Sequence, residues 1–329
     1  MPHRYIPMIK AKAGEIEALR NLSAFARSRI MPVVHIGESL SPNFAKQLGT
    51  FWASQLTAVD GSFNFQSSGS LNDFTSLVSA MRQAGIPTMT SIGTADPLGY
   101  QQAARSLVDQ NGAVVKASPG ALASLASFLS GVGLNPSGVD LIVDVKHVAS
   151  IDVPSYAGYL VSVFTQNIAT LAVLRSVTLA SGSAPKDHSS LSYGANLVPR
   201  TDWLVWNAVR SNVPFQLDYG DYLTGHPDLT EPPGVAMASA TVSARYTLDN
   251  YWLIIKGRST GGPYGQPMGV QYRAHAGIIV AYQGFGGLSA WADGQITQAA
   301  AGAPKMGSRQ KWAGFAANRH IELVANRLP

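Results

Sequence analysis

Between residues 5 and 222 the chain alternates short apolar runs, bounded by Gly, Pro or Ser, with longer segments whose apolar residues recur every three or four positions. The short runs read as strands and the periodic segments as helices, an order that specifies a parallel sheet with helical crossovers. The runs fall at 5–10, 30–36, 56–60, 87–92, 112–116, 139–145, 176–180 and 213–217. Between them Ile16, Leu19, Leu22 and Phe25 share one helical face, as do Phe74, Leu77, Val78 and Met81. Asp96 followed by Pro97 reads as a helix N-cap with proline in the first turn. Run 139–145 is continuous and β-branched, as suits a strand covered on both faces. A Ser/Gly/Pro loop then delays the next helix to 200–210, where Trp203 and Trp206 lie three apart and read as core.

Eight such repeats predict an α/β fold, a (β/α)8 TIM-like barrel, whose usual length is roughly 250 residues. A doubly wound open sheet is the alternative, but no GxGxxG turn follows an early strand. Beyond Pro233 the pattern changes. Segments 238–247, 252–256, 270–282, 288–296 and 320–324 are short, aromatic or β-branched, with Gly-rich joins, although 270–282 also fits a helix. The expected organisation is a barrel over 1–233 and a smaller, irregular, partly β C-terminal region over 234–329 packed on it.

Composition narrows the partners. Hydrophobic residues make up 46% of the chain and charged ones 13%, against roughly 25% charged in average soluble domains, so the surface carries little charge. No apolar run approaches the roughly 20 residues that span a bilayer, and the first ten residues lack a signal-peptide core, so a soluble cytoplasmic protein without membrane contact is expected. The absence of cysteine excludes disulfides, thiol catalysis and thiolate metal sites, and the sequence specifies no metal. The net charge of +5 is scattered, with mild enrichment at Lys305, Arg309, Lys311, Arg319 and Arg327. No compact basic run stands beside aromatics, which argues against nucleic acid as a partner.

Candidate chemistry follows from the barrel, because working groups of this fold stand at the C-terminal strand ends. Those ends carry Lys10, His35 or Glu38, Asp60, Ser91, Lys116, Asp144 with Lys146, Ser181 with Ser183, and Asp218 with Asp221. Strand parity aligns Lys10 with Ile6 and Met8, Asp60 with Ala58, Lys116 with Val114, and Asp144 and Lys146 with Ile142. The expected inward ring is therefore Lys10, Lys116, Lys146, Asp60, Asp144 and one of Asp218 or Asp221. Gly220 would supply a bulge that lets the other aspartate fix the turn. Asp144, Lys146, Asp218 and Asp221 are the candidate acid/base groups. Lys10, Asp60, Lys116, Ser183, Tyr219, His226 and His320 are the candidate ligand-binding groups, for a small polar or anionic ligand, phosphate included. A salt-bridged plug closing the barrel would produce the same charged list. His147 and His188 read as surface or loop histidines.

Known chemistries fit unevenly. Strand one lacks the histidine pair of barrel metallohydrolases. Asp144 and Asp218 would serve as a glycosidase pair, and Lys146 or Lys116 as a Schiff-base lysine in a lyase. A pyridoxal enzyme would use Lys10, but no phosphate loop is recognisable, and the cofactor is unknown.

Segments 5–19, 199–203, 219–222, 243–247 and 318–321, with Asp144, together resemble the phage-type beta protein family of T-even phage and bacterial homologues. The chain departs from that family's pattern at His35, Lys116 and Arg319. The resemblance implies the barrel and the position of its site, not an activity. It also implies a phage or mobile-element setting, in which the alternative role is a non-enzymatic module that binds or inhibits a protein partner in a phage or anti-phage defence system.

Overall fold

A computed structural model describes residues 4–38, 40, 41, 43–230, 241–287 and 289–329. Eight parallel strands close into a barrel: β1 (Tyr5–Lys10), β2 (Val33–His35), β3 (Thr57–Asp60), β4 (Thr88–Gly93), β5 (Ala113–Ala117), β6 (Val139–His147), β7 (Ser176–Gly182) and β9 (Leu217–Asp221). The intervening β8 (Gly194–Pro199) leaves the barrel and joins β10 (Ser243–Thr247) and β11 (Tyr251–Lys256) in an antiparallel sheet of order β10-β11-β8.

Period two divides the barrel strands between two cores. Ile6, Met8, Val33, Ala58, Met89, Val114, Ile142 and Ala180 fill the interior. Their neighbours Tyr5, Ile9, Val34, Val59, Val115, Leu141, Leu179 and Tyr219 meet the helices outside. The closing register pairs Tyr5 with Tyr219 and Ile6 with Gly220.

That register corrects the reading of the last barrel strand. The strand is Leu217–Asp221 rather than 213–217, and Gly220 is no bulge. It pairs regularly with Ala180, and a Cβ there would lie 3.0 Å from both the Ala180 Cβ and the Thr178 Cγ2, so the glycine makes room inside the barrel. The irregularity lies instead on β6, between Asp144 and His147, where Lys146 takes a left-handed φ of 57°. Asp218 therefore faces inward at the N-terminal end of the barrel. There it accepts from the Arg4 backbone N–H at 2.9 Å and from Arg4 Nε at 3.1 Å. Arg4 and Arg175 reach Asp140 in the same cluster, at 3.1 and 2.8 Å. These ion pairs stand at the end of the barrel away from the strand C-termini.

The C-terminal region is more helical than its sequence suggests. Helix Met268–Ala281 covers most of 270–282, for which the helical alternative holds, while helices Trp291–Ala300 and Arg309–Arg327 take up 291–296 and 320–324, read from sequence as parts of a partly β region; Leu288 itself lies outside the described residues. Residues 231–240, at the expected domain junction, also lie outside them. Helix Arg309–Arg327 serves two cores at once. Ala317, Ile321 and Val324 join the outer barrel core, while Trp312 and Phe315 join a second core with Tyr246, Leu253, Tyr272 and Ile296. It lies so close to helix Ala13–Arg20 that a Cβ on Gly314 would stand 3.0 Å from the Gly14 carbonyl oxygen.

Candidate functional site

The C-terminal barrel face gathers Lys10, His35, Asp60, Ser91, Lys116, Asp144, Lys146 and Tyr222. Register sets Lys10 beside His35 and His35 beside Asp60 on adjacent strands. Asp60 is buried, and its carboxylate is fully engaged. Oδ1 accepts from the Ser62 N–H at 3.0 Å and the Ser62 hydroxyl at 2.7 Å, while Oδ2 accepts from Ser91 at 3.1 Å and pairs with the Lys116 ammonium. Burial alone would raise this carboxyl, but the charges of Lys116 and His35 and these hydrogen bonds hold it well below the usual range.

His35 Nδ1 stands 3.8 Å from Asp60 Oδ2, beyond hydrogen-bonding distance, and Nε2 is buried with no hydrogen-bond partner among the described residues. Burial, reinforced by the Lys116 and Lys146 cations, outweighs Asp60 and pulls the imidazole down to about 4, so it is neutral at physiological pH. Asp96, expected as a helix cap, turns into this cluster instead: its carboxylate accepts from the Gly93 N–H at 2.6 Å. Burial and then the Asp60 charge raise its pKa.

A second cluster stands beside the first. The Tyr222 hydroxyl donates to Asp144 Oδ2 at 2.5 Å and accepts from Lys146 Nζ at 3.1 Å, and Lys146 Nζ also pairs with Asp144 at 2.7 Å. Burial and the Asp144 charge raise the phenol well above its ordinary value, so it stays protonated. Left-handed backbone at two non-glycine residues, Lys146 (φ 57°) and Leu223 (φ 53°), aims this group. Lys146 is 61% exposed and Asp144 only 6%, so the phenol links an ammonium in water to a carboxylate in the mouth, an arrangement able to pass a proton.

Over this face lies a cavity of about 730 Å³. Its wall includes Met8, Lys10 and Tyr222 from the mouth, the loops around 186–193 and 222–229, Ser243 and Arg245 of β10, Lys256 of β11, and the helix residues Tyr272 and Trp312. Among the described residues five cations line it (Lys10, Lys186, Arg245, Lys256, Arg309) against two carboxylates (Glu15, Asp187).

The expected residues thus separate into groups. Lys10, Asp60, Lys116, Asp144 and Lys146 meet at the mouth. His226 lines the cavity and fixes its own turn, Nδ1 accepting from the Asp228 N–H at 3.0 Å. Its ring lies 4.4 Å from that of His147. Asp218 is at the other end of the barrel, and Asp221 points outward, so neither aspartate completes the ring. Tyr222 holds that place.

Ser183, Tyr219, Asp221 and His320 come together too, but in a buried polar layer between the barrel and the C-terminal helix, and none of them lines the cavity. Asp221 accepts from the Tyr5 hydroxyl at 2.6 Å and lies 2.7 Å from His320 Nε2. The Tyr219 hydroxyl donates to Asp202 at 2.5 Å, and Ser183 donates to the other oxygen of that carboxylate. Trp252 ties the halves together, donating to Ser183 at 3.2 Å and stacking on His320 at 5.1 Å. Burial would raise the Asp221 carboxyl, yet His320, Tyr5 and Arg200 hold it below its ordinary value. Sequence reasoning missed Asp96, Tyr222 and Arg245 as site residues. Parity counted inward from Gly220 reaches Tyr222, and the alternation of Ser243 and Arg245 with the buried Ala244 and Tyr246 marks the cavity face of β10.

Comparison with known proteins gives distant likenesses and one clear relation. No curated protein matches the chain. Among solved structures, the arginine decarboxylase of Paramecium bursaria Chlorella virus is similar at 10% identity, over 67% of this chain and 56% of that one, with a TM-score of 0.29. The chain therefore spans little more than half the length of that enzyme. The enoyl reductase domain of MlnA, from the macrolactin biosynthesis cluster of Bacillus amyloliquefaciens, is similar at 9% identity over 98% of this chain and 81% of that one, with a TM-score of 0.37. Likeness this weak says nothing of activity. The family model described as Beta protein, in contrast, matches residues 5–326, from the first barrel strand to the end of the last helix, and the chain belongs to that family.

Proposed function

We propose that the chain binds a small polar or anionic molecule in the cavity over its C-terminal barrel face, where the mouth residues offer acid/base chemistry. The observation that carries this reading is the cavity itself: about 730 Å³ falls within the range of small-molecule sites, and its floor is the barrel mouth at Lys10, Met8 and Tyr222. In this reading Lys10 meets the ligand, and the protonated Tyr222, between Lys146 and Asp144, is the proton donor. His35, neutral and with a buried nitrogen that has no partner among the described residues, is the adjacent base. Asp60 and Lys116 hold the mouth in shape.

The test is a melting-temperature screen of the purified chain against sugar phosphates, nucleotides and oxo acids. A rise that Lys10→Met abolishes, without changing the melting temperature of the free protein, supports the reading. Unchanged melting temperatures across the panel, together with a stoichiometric protein that co-purifies, would overturn it in favour of a protein-binding role.

A further inference from the structure

The two buried arginines Arg200 and Arg319 each lie near a carboxylate, Arg200 3.8 Å from Asp202 and Arg319 3.3 Å from Asp293. The guanidinium of Arg245, on the cavity face of β10, has no carboxylate partner among the described residues. It is held only by neutral acceptors: Nε and Nη2 donate to His188 Nε2 at 3.2 and 2.9 Å, Nη2 to the Pro185 carbonyl at 3.0 Å, and Nη1 to the Thr224 carbonyl. These use four of the five N–H donors of a guanidinium and leave one on Nη1 without an acceptor among the described residues. Burial, with no anion to offset it, pulls Arg245 down to about 10. His188 adds no charge, because burial and Arg245 bring it down to about 4.

Lys256, the next strand's contribution to the same cavity, repeats the arrangement. Its ammonium donates to the carbonyls of Leu191 at 2.7 Å and Ser189 at 3.3 Å. The nearby Asp187 carboxylate is engaged by the Ser189 N–H at 2.8 Å and its hydroxyl at 2.5 Å. Two cations are thus fixed by neutral acceptors against a cavity, with no carboxylate paired to either among the described residues. A desolvated, unbalanced charge is costly, and a ligand that brings the opposite charge recovers that cost. The planar fork of an arginine suits a group with two or more oxygens.

We infer that the ligand of this cavity carries a terminal oxyanion, a carboxylate or a phosphate, and that Arg245 receives it with Lys256 as the second cation. The inference rests on the reading of the cavity as a ligand site. Inorganic phosphate and acetate are the two probes, titrated calorimetrically into the whole chain against chloride at matched ionic strength. Saturable binding of one of them is expected, and which one binds names the oxyanion. Arg245→Gln should weaken it at least about tenfold, the loss expected when a charge-assisted hydrogen-bonded contact is removed. Should that variant fail to fold, Arg245→Lys and Lys256→Gln take its place, and unchanged affinity in both overturns the inference. Binding of neither anion to the wild-type chain overturns it too. If neutral sugars or nucleosides then bind and change Trp312 fluorescence, the cavity reading stands and only the oxyanion falls; if no small molecule binds, both fall.

Discussion

Lys116→Met separates scaffold from site at the barrel mouth. The Asp60 side chain is 0% exposed and that of Lys116 12% exposed, so the substitution leaves a buried carboxylate with two serines and a neutral imidazole but no cation. Removing one partner of a buried ion pair costs about 3–5 kcal/mol, whereas replacing both often costs little. Urea denaturation followed by circular dichroism at pH 7 should therefore show a loss of that order for Lys116→Met, and Asp60→Asn/Lys116→Met should recover most of it.

The pH dependence adds an independent sign. In the wild type the depressed Asp60 carboxyl contributes stability above its unfolded value of about 3.9, and the contribution is lost as pH falls through the lower folded value. Lys116, raised by Asp60 and Asp96, contributes fully below about 10.4 and loses its contribution as pH rises through the folded value. Without Lys116, burial raises the carboxyl instead, so the folded variant takes up a proton and its loss relative to the wild type shrinks as pH falls from 7 to 5. A loss below about 1 kcal/mol at pH 7, or no relief on acidification, would refute the assignment of this pair to the scaffold.

Two further outcomes follow from the same geometry. Gly220→Ala should cost about 1–3 kcal/mol in chemical denaturation, because the added methyl meets Ala180 and Thr178 at 3.0 Å inside a filled barrel; a neutral effect would mean that the interior has room. His35 ionises near 4 when folded and near 6.5 when unfolded, so the unfolded chain binds the extra proton between those values and stability falls with pH across that window, by on the order of 3 kcal/mol. His35→Gln should reduce the slope of the stability profile from pH 6.5 to 4 by a comparable amount, leaving the slope due to His188 and His275, which also ionise near 4.

Strand ends and parity were enough to place Lys10, Asp60, Lys116 and Asp144 at one end of the barrel, since alternation survives wherever a strand has an apolar inner face; Lys146 lies past the irregularity in β6, where alternation no longer holds. Parity failed on β9, whose sequence Leu217-Asp-Tyr-Gly-Asp221 has no apolar run. Asp218 is neutralised by Arg4, near the start of β1, and Asp221 is partnered by His320 on helix Arg309–Arg327, contacts that no local pattern reveals. The last helix was obscured for a related reason. Nearly every residue from Phe315 to Ala325 is buried, with Asn318, Arg319, His320 and Glu322 among them, so no polar stripe marks its period. Arg245 escaped notice because its significance lies in the carboxylate it lacks, which only the assembled walls disclose.

The contact between helices Ala13–Arg20 and Arg309–Arg327 also bears on how the chain reaches its fold. Asn318 donates to the Ala18 carbonyl across 300 residues of sequence, Ser23 is hydrogen-bonded to Glu322 across 299, and Asp221 waits for His320 across 99. Contacts so distant in sequence close large loops before they return any stabilisation, which slows folding. On a ribosome, the first strand and its helix leave the tunnel with their polar partners still unsynthesised. The barrel's outer wall at Tyr5, Ser23 and Asp221 is covered only when helix Arg309–Arg327 emerges, so the nascent chain exposes that wall until then.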